Sequence, residues 1–288
     1  MNMSLALKIR QYIIYPLLVL TMLFSPDAVS TDTAKLISTD TFVADSAMIM
    51  GQGITTDGEY YYTSGSLVGI GFTALGKYTV DGMEFVDTKI NPLPDVCEKR
   101  GNNHIGGISY YDGKIYASVE GGDEVTACIV TFDPETLEAI DVYDLPNEKF
   151  PDGVPWCAVD GNTGYLYASM WDQTKTIYVY DVNNEMAFVK ELPLMGIGSI
   201  KRIQGGEFLD GTLYLSKDNN DKGKIRDILS VDVTTGEVKL VAERNVGSEN
   251  YEAEGMTFTK GDNAAELHVL DYNRTIGIFV HHYTADFA

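Results

Sequence analysis

One phrase returns along this chain at intervals near fifty residues: a glycine-containing apolar run, a tight turn, then Tyr-x-Ser. It reads Gly53-Ile54, Asp57-Gly58 and Tyr62-Thr63-Ser64, then Gly107-Ile108, Asp112-Gly113 and Tyr116-Ala117-Ser118. The next copies run Trp156-Cys157, Gly164, Tyr167-Ala168-Ser169 and Gly205-Gly206, Asp210-Gly211, Tyr214-Leu215-Ser216. A fifth, degenerate copy leads from Glu254-Gly255-Met256 to Leu267-His268-Val269-Leu270. Successive serines lie 54, 51 and 47 residues apart, and Leu270 follows Ser216 by 54. A fixed period of this length marks one supersecondary unit used several times.

Each unit continues with a third strand-like run that ends in an acid, as in Ile129–Asp133, Ile177–Asp181 and Ile228–Asp232. Turns such as Pro134-Glu135-Thr136 and Thr234-Thr235-Gly236 lead into a fourth run, and no helix of ordinary length is expected after residue 30. Four short strands per fifty residues, five times over, predict an all-β, five-bladed β-propeller. The last unit stops at its third strand, 275–283. The strand-like segment 34–43 therefore supplies the missing outer strand and closes the ring, which removes two open sheet edges. An up-and-down barrel would not need such a period.

Composition limits what the ring can meet. The 288 residues carry 42 acidic against 21 basic side chains, a net charge of -21 with a pI near 4.4. Nucleic acid would be repelled across most of that surface. With 44% hydrophobic residues the chain is not disordered. Lys8 and Arg10 precede an apolar run from Tyr12 to Phe24, and Ala28-Val29-Ser30 places small residues at the -3 and -1 positions. This pattern predicts a signal peptide over 1–30, cleaved after Ser30, then a single propeller domain over 31–288. An uncleaved N-terminal anchor is the alternative. The product is expected to be secreted, extracellular or periplasmic, with no membrane insertion after cleavage. Cys97, Cys128 and Cys157 have no ligand spacing; Cys128 and Cys157 read as buried thiols, and a single disulfide involving Cys97 remains open.

The repeat itself nominates a site, because loops entering the innermost strands and loops leaving the second strands share one face. The first set offers Gln52, His104, Trp156, Gln204 and Glu254. The second offers Glu120, Asp123, Trp171, Asp172, Lys217, Asp218, Asn219, Asp271 and Asn273. Convergent polar groups at the mouth of a concavity are the expected place for a ligand. His104 and Glu254 are the candidate catalytic pair for general acid–base work. Glu252 and Glu254 stand two apart, so both can face the channel from an extended strand. Gln52, Trp156, Trp171 and Gln204 are candidate ligand contacts, and Asp172, Asp218 and Asp271 are candidate metal ligands. Hard oxygen donors without a His/Cys cluster favour Ca²⁺ or Mg²⁺ over zinc, with Ca²⁺ the expected ion. His281 and His282 read as structural. The sequon Asn273-Arg274-Thr275 falls beside this site.

A family resemblance rests on the first unit. Met50-Gly51-Gln52-Gly53-Ile54, Tyr62-Thr63-Ser64-Gly65 and Lys77-Tyr78 resemble the first blade of the plant and bacterial type of glutaminyl cyclotransferase, itself a five-bladed propeller. The resemblance implies that Gln52 lines a substrate pocket. The second blade departs from that family's Glu-Gly pair, reading His104-Ile105-Gly106-Gly107, and Val119-Glu120 stand where the family carries a tryptophan. Glu254-Gly255-Met256 through Phe258, with Asp271 and Asn273, also resembles lactonase-type propellers, which hold calcium in the channel but have six blades.

Two functions follow. The first is a secreted propeller that binds a small-molecule or peptide ligand at the channel mouth, with or without a divalent cation, and hydrolyses or cyclises it. The second is a non-catalytic module that recognises protein or glycan. Trp156 and Trp171 both belong to the third unit, which favours one central site over repeated pockets.

Overall fold

The computed structural model describes residues 27–42, 51–67, 72–122, 125–219, 223–260, 264–273, 277–285 and 287. The charged start and apolar run of the expected leader lie outside these residues. So do Met50, Asp123 and the Arg274-Thr275 part of the sequon.

Five four-stranded antiparallel sheets form the ring. Blade 1 holds β2 (Gly53–Thr56), β3 (Tyr60–Leu67), β4 (Phe72–Thr79) and β5 (Phe85–Ile90). A short helix, α1 (Asp95–Arg100), leads to blade 2, with β6 (Asn102–Tyr111), β7 (Lys114–Gly121), β8 (Cys128–Phe132) and β9 (Ala139–Asp144). Blade 3 holds β10 (Trp156–Asp160), β11 (Tyr165–Ser169), β12 (Thr176–Asp181) and β13 (Ala187–Pro193). Blade 4 holds β14 (Ile203–Leu209), β15 (Thr212–Lys217), β16 (Ile225–Val231) and β17 (Val238–Asn245). Blade 5 holds β18 (Tyr251–Lys260), β19 (Ala265–Asn273) and β20 (Gly277–Thr284), completed by β1 (Lys35–Phe42). Leu36 sits opposite Tyr283 and Phe42 opposite Ile278, so the N-terminal strand closes the ring as the repeat arithmetic requires.

Burial falls from the axis outward. β10 is buried at every residue, whereas β5 is mostly exposed. The apolar core is divided among the interfaces between blades. One cluster joins Tyr62 and Leu75 of blade 1 to Ile105, Ile115 and Phe132 of blade 2. Equivalent clusters pack blade 2 on 3, 3 on 4, 4 on 5 and 5 on 1. Each fully buried Ile, Leu or Val contributes roughly 1.5–3 kcal/mol of transfer free energy, so every blade depends on both neighbours.

The recurring polar residues have local duties. Asp133 accepts hydrogen bonds from the backbone N–H groups of Glu135 and Thr136, and Asp232 from those of Thr234 and Thr235. These side chains fold the turns between third and fourth strands. The N–H donors favour the charged carboxylate and hold both aspartates below the usual range. Ser64 donates to the Gly106 carbonyl of the next blade at 2.5 Å, and Ser118 to Gly107 at 3.0 Å.

At the axis, glycine lets backbones meet. A Cβ on Gly255 would lie 2.6 Å from the Gly53 Cα, and one on Gly205 would lie 2.7 Å from the Gly255 Cα. The Gly255 N–H donates to the Gln52 carbonyl at 2.7 Å. These close approaches between neighbouring inner strands make a glycine waist near the axis, with the residues that precede the glycines on one side of it and those that follow on the other.

Candidate active site

The mouth above the waist is built from all five blades. His104, near the start of β6, is clamped between two acceptors: Nδ1 lies 2.8 Å from Glu120 Oε1 and Nε2 lies 2.8 Å from Gln52 Oε1. Three residues from blades 1 and 2 thus form one arc. The other Glu120 oxygen, Oε2, is buried and has no hydrogen-bond partner among the described residues.

The opposite arc centres on Arg202, one residue before β14. Its guanidinium bonds the carboxylates of Asp218 and of Glu252, the latter at 2.8 Å. It also lies over the Trp171 ring, 4.6 Å from the centroid. Gln204 donates to the same Glu252 oxygen at 3.3 Å. Arg202 has φ +58, a left-handed conformation that costs a non-glycine residue about 1–2 kcal/mol. The Arg202 N–H offsets that cost in part by donating to the Trp171 carbonyl at 2.8 Å. Asp218 is only 1% exposed and takes a second guanidinium, that of Arg226, at 2.6 Å.

Glu254 sits between the arcs, beside the waist, and is 2% exposed. Among the described residues its carboxyl makes no hydrogen bond. Burial, then the charges of Glu252, Asp218 and Asp271, push its carboxyl well above the usual range; Arg202 opposes them. Burial and the neighbouring carboxylates both favour its protonated form.

The structure thus joins Gln52 to His104, and Trp171, Gln204 and Asp218 to the group around Arg202, whose charge reaches Glu254; Asp172 is half-buried. Two expected site residues are committed to buried contacts of their own. Trp156 is fully buried; its indole N–H donates to Ser169 Oγ at 2.9 Å, and its ring lies against Gly206. Asp271 is fully buried, gripped by Arg244 at 2.8 and 3.1 Å and by His281 at 2.6 Å. Burial alone would raise the Asp271 carboxyl, but Arg244 and His281 bring it down to about 2. The donor set therefore does not fit a divalent cation. Asp218 and Asp271 already face guanidinium groups, and no group of three or more His, Cys, Asp or Glu among the described residues is placed to hold a metal.

Arg202 and Arg226 escaped the sequence reading, which sought acids and amides. The available signal was spacing: in an extended segment Arg202 shares a side with Gln204, as Glu252 does with Glu254.

Below the waist, Glu207 of β14 accepts from Thr55 Oγ1 at 3.3 Å and from Thr257 Oγ1 at 3.4 Å. Burial raises its carboxyl to about 7 against these donors and the Phe208 N–H. A separate cavity of 390 Å³, lined by Asp32, Thr33, Lys35, Val241 and Thr284, lies where blades 4 and 5 meet at the outer edge.

The fold resembles that of a bacterial glutaminyl cyclase. The Myxococcus xanthus enzyme superimposes with a TM-score of 0.60 at 13% identity, over 91% of this chain and 98% of that one. A tail fibre of Staphylococcus aureus phage P68 gives 0.57 at 16%, over 87% of this chain and 52% of that chain. The RS223 beta-xylosidase gives 0.54 at 10%, over 84% and 93%. At such identities the likeness is one of fold. No family model and no curated protein matches the sequence.

Proposed function

We propose that this chain, exported by its N-terminal segment, binds a small polar ligand at the upper mouth and that Glu254 transfers the proton in its cyclisation or hydrolysis. The observation that carries this reading is a buried carboxyl group, its protonated form favoured, that makes no hydrogen bond among the described residues and stands near polar side chains that are only partly buried. Such groups gather where a fold must move protons near neutral pH. The ligand would carry an amine or amide, whose N–H groups suit the unpartnered Glu254 oxygen atoms. Trp171 would give it a flat apolar wall, held in place by Arg202. His104, with both ring nitrogens already engaged, would orient Gln52 and Glu120 rather than take the proton itself.

Cyclisation of an N-terminal glutaminyl peptide is the reaction of this kind that the glutaminyl cyclase likeness suggests trying first. The amine attacks the side-chain amide carbon and the bond from that carbon to the amide nitrogen breaks; Glu254 would give its proton to the departing ammonia and, as the carboxylate, take up the proton that the attacking amine loses. The test is ammonia release from a glutaminyl dipeptide by wild type and Glu254→Gln. Turnover that falls about 10²- to 10⁴-fold in the variant, with binding retained, is the expected outcome. No turnover, together with no melting shift from any amine or amide ligand, would end the reading.

A further inference from the structure

α1 joins blade 1 to blade 2 and covers a sulfur pair. Cys97 on α1 and Cys128 on β8 are both fully buried, with their Sγ atoms 4.0 Å apart. Arg100, one turn along α1, brings Nη2 to 4.0 Å from Cys97 Sγ. That guanidinium is itself fixed, by Asn102 Oδ1 and by Asp144 Oδ1, each at 2.6 Å. The remaining cysteine, Cys157, lies in blade 3 with its thiol against the Gly107 and Tyr116 carbonyls.

We propose that Cys97 and Cys128 are a redox pair, which a low-molecular-weight disulfide converts to an intramolecular disulfide that clamps α1 onto blade 2. The pair divides the labour. A hydrogen bond from Cys128, and beyond it the Arg100 charge, lowers the Cys97 thiol despite burial, whereas Cys128 is pushed up. Cys97 is therefore the attacking thiolate and Cys128 the resolving thiol. Access comes from α1 itself: its N-cap, Pro94, makes no side-chain cap bond, and Val96 faces solvent. With only six residues, the helix can expose Cys97 by local opening, which breaks the Arg100 bonds to Asn102 and Asp144.

The chemistry balances. Cys97 sulfur attacks the external disulfide, whose S–S bond breaks, and the first external thiol leaves with a proton. Cys128 then gives its proton to solvent and attacks Cys97 sulfur, and the second external thiol leaves. Two protein thiols are oxidised, and one external disulfide is reduced to two thiols. The clamp lies close to the site, because Asn102, held by Arg100, is two residues from His104.

The test uses the folded full chain and oxidised glutathione. After incubation, thiols are alkylated in denaturant and peptides are mapped by mass spectrometry. The expected result is one alkylated cysteine, Cys157, with a cross-linked pair of peptides containing Cys97 and Cys128. Cys157→Ser should then show no free thiol, and Cys128→Ser should trap Cys97 as a glutathione adduct. The oxidised protein should melt at a higher temperature than the same sample after dithiothreitol, because the cross-link restricts the unfolded chain. Three alkylated cysteines at saturating oxidant would overturn the proposal. So would a glutathione adduct that persists at Cys97 in wild type, or an unmodified Cys97 in Cys128→Ser.

Discussion

Glu207 shows how one side chain departs from its repeat. At the matching place, opposite the tyrosine of Tyr-x-Ser or, in blade 5, opposite His268, the other inner strands carry Thr55, Ser109, Ala158 and Thr257. Thr55 and Ser109 there receive backbone N–H groups from the next blade, Tyr110 and Val159, so that position latches neighbouring blades. Blade 4 places a carboxyl at this position, and burial raises it to about 7. The folded state therefore holds a proton that the unfolded chain releases near the usual glutamate value. The stabilising effect is fully present below about pH 4.5 and is lost as pH rises through about 7. Glu207→Gln keeps the shape without the charge. It should raise stability at pH 8 by roughly 1–3 kcal/mol and leave it little changed at pH 4.5, since a tenfold change in proton affinity is worth about 1.4 kcal/mol. Thermal melts of both proteins across pH 4.5–8 check this. A variant that loses stability equally at both ends would refute the assignment.

Blade 5 shows what an element adds. A ladder of side chains crosses all four of its strands. Thr259 Oγ1 meets His268 Nε2 at 2.6 Å, the two histidine Nδ1 atoms face each other, and His282 Nε2 lies 2.9 Å from Asp40 Oδ2 on β1. Tyr61 of blade 1 packs edge-on against His268. Facing Nδ1 atoms can share one proton but not accommodate two. Burial, then the His282 charge, lowers His268 to about 3, and burial lowers His282 although Asp40 opposes it. Folding thus favours the neutral rings. Their contribution is complete above about pH 6.5 and is lost as pH falls towards about 3. Closure should weaken by about 2–3 kcal/mol between pH 6.5 and 4.5. Substituting His268→Gln should flatten this limb of the stability curve, followed by hydrogen exchange at β1 and β20. Asp271 acts in a lower window, because its carboxyl titrates at about 2 and its support fades only below the usual aspartate value.

At the scale of the molecule, the ring is a closed circuit of five apolar interfaces, and β1 holds its ends together. Ala34 is fully buried at the join, and Leu36 packs on the cluster between blades 4 and 5. The chain just before β1 is engaged too: the Val29 N–H bonds the Asn245 carbonyl at 2.9 Å, and Thr31 Oγ1 the Glu243 carbonyl at 2.6 Å. Removing residues 31–42 would expose the edge of β20 and open that interface. The melting temperature should fall by at least ~10 °C, given that a domain of this size shifts roughly 2–4 °C per kcal/mol. A shortened protein that melts with the full chain would show that the last blade closes without its N-terminal strand. No helix among the described residues is long and apolar enough to cross a membrane.

The sequence by itself determined the ring. Repeat length, strand alternation and the missing last strand are periodic facts, and periodicity is a property of the chain that survives translation into space. It also placed polar groups at one end of the inner strands: Gln52, Gln204 and Glu254 each stand just before the repeat glycine, and His104 three before Gly107. Only the tertiary structure decided what each polar group meets there. Trp156 stands opposite Ser169, the place that Gly53 and Gly205 hold in their blades, and its large ring fills the room that Gly206 leaves. Asp271 stands in a candidate loop by spacing, but Arg244, 27 residues earlier and in another blade, neutralises it. Arg202 and Glu252, 50 residues apart, form one ion pair across a blade boundary. Charge pairing and burial depend on distances between blades, and no local pattern encodes those distances.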